Sequence, residues 1–371
     1  RWVRIPLVVF ELALGILVGP SILGIVQPTD LIEMLSNFGL AMLFFMAGAE
    51  IDATALTGPS GRRAIGGWVV SLVLGVAVGW LVNPGEPAVI IGIALCSTAL
   101  GTLLPILRDA GELRTPFGRS VSAVGAVGEF GPLVAISIFL GGREPGASTI
   151  VLLAFVVISA GAIVVAIRAP HGWLHRVVNA TLHTSGQFAI RLVLLILAAL
   201  VTLSILLDLD MLLGAFAAGI IWRLAMRDAQ PADREAVESK IEAIAFGFLV
   251  PIFFLYTGVT FDMQALIGDP VHLLLVLAAL LALLVVRGIP SAFAAPPRSP
   301  VRDRVALGLF GATGLPIVVA VTALAVDAKI MTSVDAAVLV AAGMLSVLIF
   351  PLIGMLLHRR QMREPVLTDE G

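Results

Sequence analysis

Residues 120–140 read SVSAVGAVGEFGPLVAISIFL, a run long enough to cross a bilayer with one charged side chain, Glu129, near its middle. A charge at the centre of a membrane helix costs about 3 kcal/mol on insertion scales, so it faces protein and marks an ion pathway by default. Glu129 is therefore the first candidate for binding an ion or a proton. The competing reading is a structural glutamic acid, neutral or hydrogen-bonded to a neighbour. Around it, Gly125, Gly128, Gly131 and Pro132 let neighbouring backbones approach and loosen the helix locally.

The whole chain fits that setting. Of its 371 residues 59% are hydrophobic and 13% charged, against roughly 25% charged in soluble domains, which places it among polytopic membrane proteins. The single cysteine, Cys96, excludes a disulfide framework and any CxxC site. His171, His175, His183, His272 and His358 fall in loops or at helix ends and form no HExxH. GxSxG and P-loop motifs are absent, so neither an enzyme nor nucleotide-driven pumping is suggested, and no cofactor is expected. The opening helix has no cleavage-site pattern, so no signal peptide is expected.

Apolar runs of membrane-spanning length occur at 5–26, 33–51, 64–83, 87–107, 116–141, 148–167, 186–207, 210–224, 242–261, 271–293, 303–326 and 333–357, giving twelve spans. Nearly all Lys and Arg fall in the even-numbered loops and at the two ends. The opposite loops hold only Arg143 and Lys329, and Arg191 and Arg287 lie within spans. Such asymmetry puts both visible termini in the cytoplasm, here of a bacterial inner membrane.

Two halves echo each other. The second span carries Met42 to Asp52, MLFFMAGAEID, and the ninth carries Pro251 to Asp262, PIFFLYTGVTFD. Likewise Leu14 to Gly19 in the first span matches Leu213 to Gly219 in the eighth. If spans one to five repeat as eight to twelve, the offset of seven inverts one unit relative to the other, as is common in secondary transporters. The expected organisation is a single transmembrane transporter domain: repeat one at about 5–141, linking helices at 148–207, repeat two at 210–357 and a short tail at 358–371. Within the repeats, the fourth and eleventh spans are interrupted by small and polar residues. The first interruption is Cys96-Ser-Thr-Ala-Leu-Gly101 with Pro105; the second is Gly308, Gly311-Ala-Thr-Gly314 and Pro316. These are expected to be broken helices whose exposed backbone and dipole ends hold an ion, with Ala99, Gly101, Gly311 and Gly314 in the unwound parts. Ser97, Thr98 and Thr313 would add hydroxyl oxygens. Kinks in a packed bundle are the bland alternative.

Arg287 lies fourteen to sixteen residues into the tenth span, inside the membrane, and is the natural counter-charge for Glu129 because a buried carboxylate and guanidinium offset each other's desolvation. The alternative is a span that ends near Pro290, with Arg287 snorkelling to the interface. Glu11 is read as structural, and Glu50, Asp52, Asp262 and Asp269 as solvated acids at span ends.

Taken together, Phe10 to Gly24, Phe44 to Asp52, Ser97 to Gly101, Leu213 to Gly219 and Val250 to Phe254 resemble the monovalent cation:proton antiporter family 2, the Kef-like and bacterial sodium/proton exchangers. The resemblance implies the Na+/H+ antiporter-like fold, with inverted five-helix repeats and two crossed broken helices. It also implies a homodimer whose core, the third to fifth and tenth to twelfth spans, moves as an elevator. Family members commonly begin with a further span and, in the Kef-like branch, continue into a nucleotide-sensing domain; neither is visible in this chain. Sodium/proton exchangers of this group carry two adjacent acids in the fifth span, where this chain has Gly128 and Glu129. Many have Lys where Arg287 stands, and arginine does not give up its proton in proteins. One titrating acid would then bind one proton or one monovalent cation (Na+ or K+) in turn, making exchange electroneutral.

The leading expectation is therefore a secondary Na+ or K+/H+ antiporter whose partners are cations, protons and the bilayer, with no nucleic acid. Two other readings stay open. An organic-anion carrier would depend on Arg287 and ignore Na+, K+ and Li+. A channel or non-transporting sensor would need rings of carbonyls or charges that one acid does not supply.

Overall fold

The computed structural model describes residues 7–50, 58–139, 145–168, 188–226 and 231–363. Arg143, Asp52 and the histidines at 171, 175 and 183 fall outside them. Its helices are α1 (Leu7–Val18), α2 (Asp30–Glu50), α3 (Pro59–Val82), α4 (Glu86–Leu95), α5 (Leu100–Asp109), α6 (Pro116–Phe139), α7 (Pro145–Arg168), α8 (Phe188–Leu206), α9 (Met211–Ala225), α10 (Pro231–Ile244), α11 (Val250–Val259), α12 (Met263–Gly268), α13 (Pro270–Leu283), α14 (Ile289–Ala292), α15 (Val301–Gly311), α16 (Pro316–Asp327) and α17 (Ser333–Arg363). No strand occurs among the described residues. Among the described residues, nine helical stretches are long and apolar enough to cross a membrane, and Leu7–Val18, Gly146–Ser159 and Met211–Ala225 are shorter apolar helices. In chain order these twelve correspond to the twelve expected spans.

Two compact units divide the chain. One holds α3 to α5, α6 as far as Pro132, and α12 to α17; the other holds α1 from Glu11, α2, the end of α6, and α7 to α11. Close approach of α2 and α9 organises the second unit. A Cβ on Gly48 would overlap the Phe216 carbonyl oxygen, and one on Gly219 would overlap that of Phe45. Small residues at such a contact let two backbones meet, which is how membrane helices gain packing without a hydrophobic drive between them.

In the first unit the core lies between α5, α6, α15 and α17, where Leu103, Leu107, Val121, Val124, Leu307, Phe310 and Met355 are buried together. Burial grades the spans. The best apolar windows of 86–104, 116–139 and 301–327 are 72%, 78% and 83% buried, against 17% for α3. Spans four, five and eleven are thus the most buried of the described long spans.

Local chemistry explains the irregular parts. The tenth span does not end at Pro290: α13 runs into a π-turn at Leu284–Gly288 and on into α14. A second π-turn, Ala245–Leu249, joins α10 to α11. Each π-turn ends two residues before a proline, Pro290 or Pro251. Proline lacks the N–H that would bond the carbonyl four residues back, so the preceding turn is free to widen, a distortion found often at functional sites.

Candidate functional site

The fourth and eleventh spans are broken, as their composition indicates. Helix α4 stops at Leu95 and α5 starts at Leu100; α15 stops at Gly311 and α16 starts at Pro316. The two gaps meet each other. Ala99 donates its N–H to the Thr313 carbonyl at 2.7 Å, and the Thr98 hydroxyl donates to the Gly311 carbonyl at 2.6 Å. Carbonyls in the last turn of a helix have no partner within it, so Thr98 caps α15 from the other break. Gly101 and Gly311 were expected in the unwound parts and are not there. Gly101 lies in the first turn of α5, and Gly311 is the last residue of α15, helical but with its carbonyl turned over to Thr98. Ala99 and Gly314 do lie in the gaps.

Helix α6 supplies the third side. Its Gly128 carbonyl accepts the Thr98 N–H at 2.9 Å. No side chain fits at that position: a Cβ there would meet the Thr98 side chain and lie 2.6 Å from Arg287 Nη2. The glycine that stands where an acid was expected is thus required by the close approach of the crossing. Glu129, the next residue, is buried at 4% relative exposure.

Arg287 comes from the π-turn of the tenth span and is completely buried, so it does not snorkel to the interface. Its Nε donates to Thr98 Oγ1 at 2.9 Å and its Nη2 to the Val124 carbonyl of α6 at 2.8 Å. The guanidinium therefore ties α6 to the crossing five residues before Glu129. Thr98 is the meeting point of all four elements, giving hydrogen bonds to Gly311 and Gly128 and receiving one from Arg287.

The remaining hydroxyls have local partners. Ser97 Oγ donates to the Ala94 carbonyl at 2.8 Å and Thr313 Oγ1 to the Leu309 carbonyl at 3.0 Å. Sequence reasoning missed Ser346 of α17, whose hydroxyl accepts the Gly314 N–H at 3.2 Å and donates to the Gly343 carbonyl at 2.7 Å. It braces the second gap from behind, and a serine in the middle of the apolar run 336–357 was the available signal. No group of three or more His, Cys, Asp or Glu suited to a multivalent metal occurs among the described residues.

Electrostatically the crossing is balanced. The C-terminal ends of α4 and α15 carry partial negative charge, and the N-terminal ends of α5 and α16 carry partial positive charge, each about half an elementary charge. Free carbonyl ends suit a cation and N-terminal ends suit a carboxylate or other anion. Arg287 brings a fixed cation to the crossing, and the buried acid Glu129 follows Gly128 on the helix packed against it.

Such geometry defines a class: multi-pass membrane proteins in which two interrupted helices cross beside a buried carboxylate. The transmembrane sodium/hydrogen exchanger family matches residues 1–357, and this chain belongs to it. It is similar to the Na+/H+-K+ antiporter GerN of Bacillus cereus, 31% identical over 75% of this chain and 71% of the relative. It is also similar to a putative Na+/H+ antiporter of Bacillus subtilis, at 28% identity over 77% of this chain and 48% of that protein. Among solved structures, the sodium proton antiporter of Methanocaldococcus jannaschii at pH 8 shares the fold with a TM-score of 0.66 and 16% identity, covering 95% of this chain and 92% of the other.

Proposed function

We propose that this protein is a secondary antiporter exchanging a monovalent cation, Na+ or K+, for H+. Glu129 binds either the cation or the proton, so the two compete for one carboxylate, and each cycle exchanges one for one without net charge movement. The observation that carries this reading is the crossing itself: both gaps, α6 and the buried Glu129 are held in a single compact unit by Thr98 and Arg287. Sodium/hydrogen exchanger membership and the names of the relatives agree with it.

That unit gathers the six spans which the family resemblance assigns to the moving core, and we infer that it travels as an elevator within a homodimer. Its Arg-rich loops face the cytoplasm, with the protein in a bacterial inner membrane. Finer membership in the cation:proton antiporter family 2 rests on the strings quoted above. Arg287 serves as fixed counter-charge to the site. Its complete burial and its engaged donors weigh against an organic anion as its partner.

The test is reconstitution into proteoliposomes carrying a trapped pH dye. Pulses of Na+, K+ or Li+ should collapse an imposed pH gradient at a rate independent of membrane voltage. A response to none of the three removes the antiporter reading, and a voltage-dependent proton flux removes the one-for-one stoichiometry.

A further inference from the structure

Away from the crossing, α3, α4, α13 and α17 of the same compact unit enclose a cavity of about 170 Å³. The sequence of α13 makes the room. Its face towards the cavity carries Ala278, Ala279 and Ala282 in a leucine-rich helix, so three side chains stop at a methyl group where leucines would reach across. Helix α4 gives the depth. Pro87, Ile91 and Leu95 line the cavity at four-residue intervals, one stripe of the helix, and extend over about 12 Å at 1.5 Å per residue. Beside that stripe α4 is pressed against α3, where a Cβ on Gly79 would overlap the Ala88 carbonyl oxygen. These two helices therefore form one close-packed wall.

The lining is apolar except at the mouth. At the inner end, Leu95 is 2% exposed and is the last residue of α4, directly before the gap that carries Ser97 and Thr98. At the outer end stand Asn83, which follows the last turn of α3, and Asp335 in the first turn of α17. Asp335 carries the one charge among the lining residues. Its Oδ2 accepts the Thr332 hydroxyl at 2.7 Å, leaving Oδ1 for a further donor. The C-terminal end of α3 adds partial negative charge at the same mouth. The start of α17 opposes with about half a positive charge, which one full carboxylate outweighs.

We propose that this cavity binds a small hydrophobic organic cation, with an aryl or short alkyl group in the alanine-lined interior and a protonated amine at Asp335. Size and charge select that class. An apolar cavity of roughly 150 Å³ takes a benzene ring and stays free of water, so the interior suits a ring of that size. A polar group placed at the edge of an apolar pocket fixes the orientation of its ligand, here with the ammonium outward. An anion would be repelled by Asp335, and a neutral alcohol would forgo the ion contact. Occupancy ties the inner end of α4 to α13 and α17. The site lies apart from Glu129 and stands whether or not the antiporter reading does.

The test uses the full chain in nanodiscs of phosphatidylglycerol, a lipid without an ammonium headgroup. The probe is 4-phenylbutylammonium and the readout is thermal unfolding. The amine should raise the midpoint saturably, by roughly 5–10 °C at a hundredfold excess over its Kd. A neutral analogue, 4-phenylbutanol, should bind about fivefold more weakly, the upper end for an exposed ion pair, and 4-phenylbutanoate more weakly still. Asp335→Asn keeps an oxygen for Thr332 and should bring amine and alcohol to the same Kd. Ala279→Leu fills the interior and should abolish saturable binding of all three. Val82→Trp, at a rim position 69% exposed, should do the same without touching the interior, and decides the matter if Ala279→Leu does not fold.

No saturable shift in wild type, or equal shifts in wild type and the filled variants, overturns the cavity as a site. Equal affinity for amine and carboxylate, or a preference for the amine that survives Asp335→Asn, overturns the cation class. Loss of the shift when half of the lipid is phosphatidylethanolamine assigns the mouth to a lipid headgroup and overturns the small-molecule occupant.

Discussion

Replacing Gly128 with alanine tests the geometry of the crossing with one methyl group. The added Cβ would overlap Thr98 and stand 2.6 Å from Arg287 Nη2, and both neighbours are held. Thr98 is fixed by its bonds to Gly128 and Gly311, Arg287 by its bonds to Thr98 and Val124, and neither has solvent to retreat into. Relief requires α6 to move off the crossing, which lengthens the Thr98 N–H to Gly128 carbonyl bond of 2.9 Å, or the guanidinium to leave Thr98. Overpacking of a dense interior costs about 1–3 kcal/mol, and a buried hydrogen bond to a charged group is worth about 1.5–3 kcal/mol. Together these give a loss of roughly 2.5–6 kcal/mol. At about 2–4 °C per kcal/mol, the midpoint in a detergent thermal scan at fixed rate should fall by roughly 5–25 °C. Gly101→Ala is the internal control, because a Cβ there meets nothing within 4 Å and alanine is the better helix former by up to about 1 kcal/mol. A Gly128→Ala protein that melts with wild type and exchanges normally would refute the close approach. Gly128→Asp, which restores the expected pair of acids, should be at least as damaging, so a second acid cannot simply be added back.

Three further changes probe other contacts. Arg287→Met removes the donors to Thr98 and Val124 and leaves two buried acceptors without them, so it should destabilise by about 3 kcal/mol; Arg287→Lys, a point charge that cannot span both acceptors, should fall between, as read by thermal scans. Thr98→Val keeps the shape but loses the cap on Gly311 and the acceptor for Arg287, and should lower exchange far more than Thr313→Val, whose hydroxyl donates to the Leu309 carbonyl four residues back. Gly219→Val should prevent α2 and α9 from meeting and be visible as loss of monodisperse protein on gel filtration, whereas Gly247→Val, where a Cβ meets open space, should not.

The spans were legible because bilayer thickness and the arginine bias write themselves into composition over twenty residues at a time. Both breaks were legible because glycine, proline and hydroxyl residues interrupt two otherwise apolar runs. What stayed hidden depends on partners distant in sequence. Nothing local indicates that Thr98 caps Gly311, 213 residues away, or that Arg287 reaches Val124, 163 residues away. Gly128 could be read as a missing acid, but its reason, a backbone pressed against Thr98, needs the third dimension. The π-turn that carries Arg287 is foreshadowed only by Pro290, at which the sequence alone left a span end open as the alternative.

The most direct test of the central claim is the pH dependence of the apparent KM for the transported cation in proteoliposomes. If Glu129 holds either the proton or the cation, KM rises as pH falls, approaching roughly tenfold per pH unit on the acid side, while the maximal rate stays nearly constant, and Glu129→Gln abolishes exchange. A KM independent of pH, or cation/proton exchange surviving in Glu129→Gln, would contradict it.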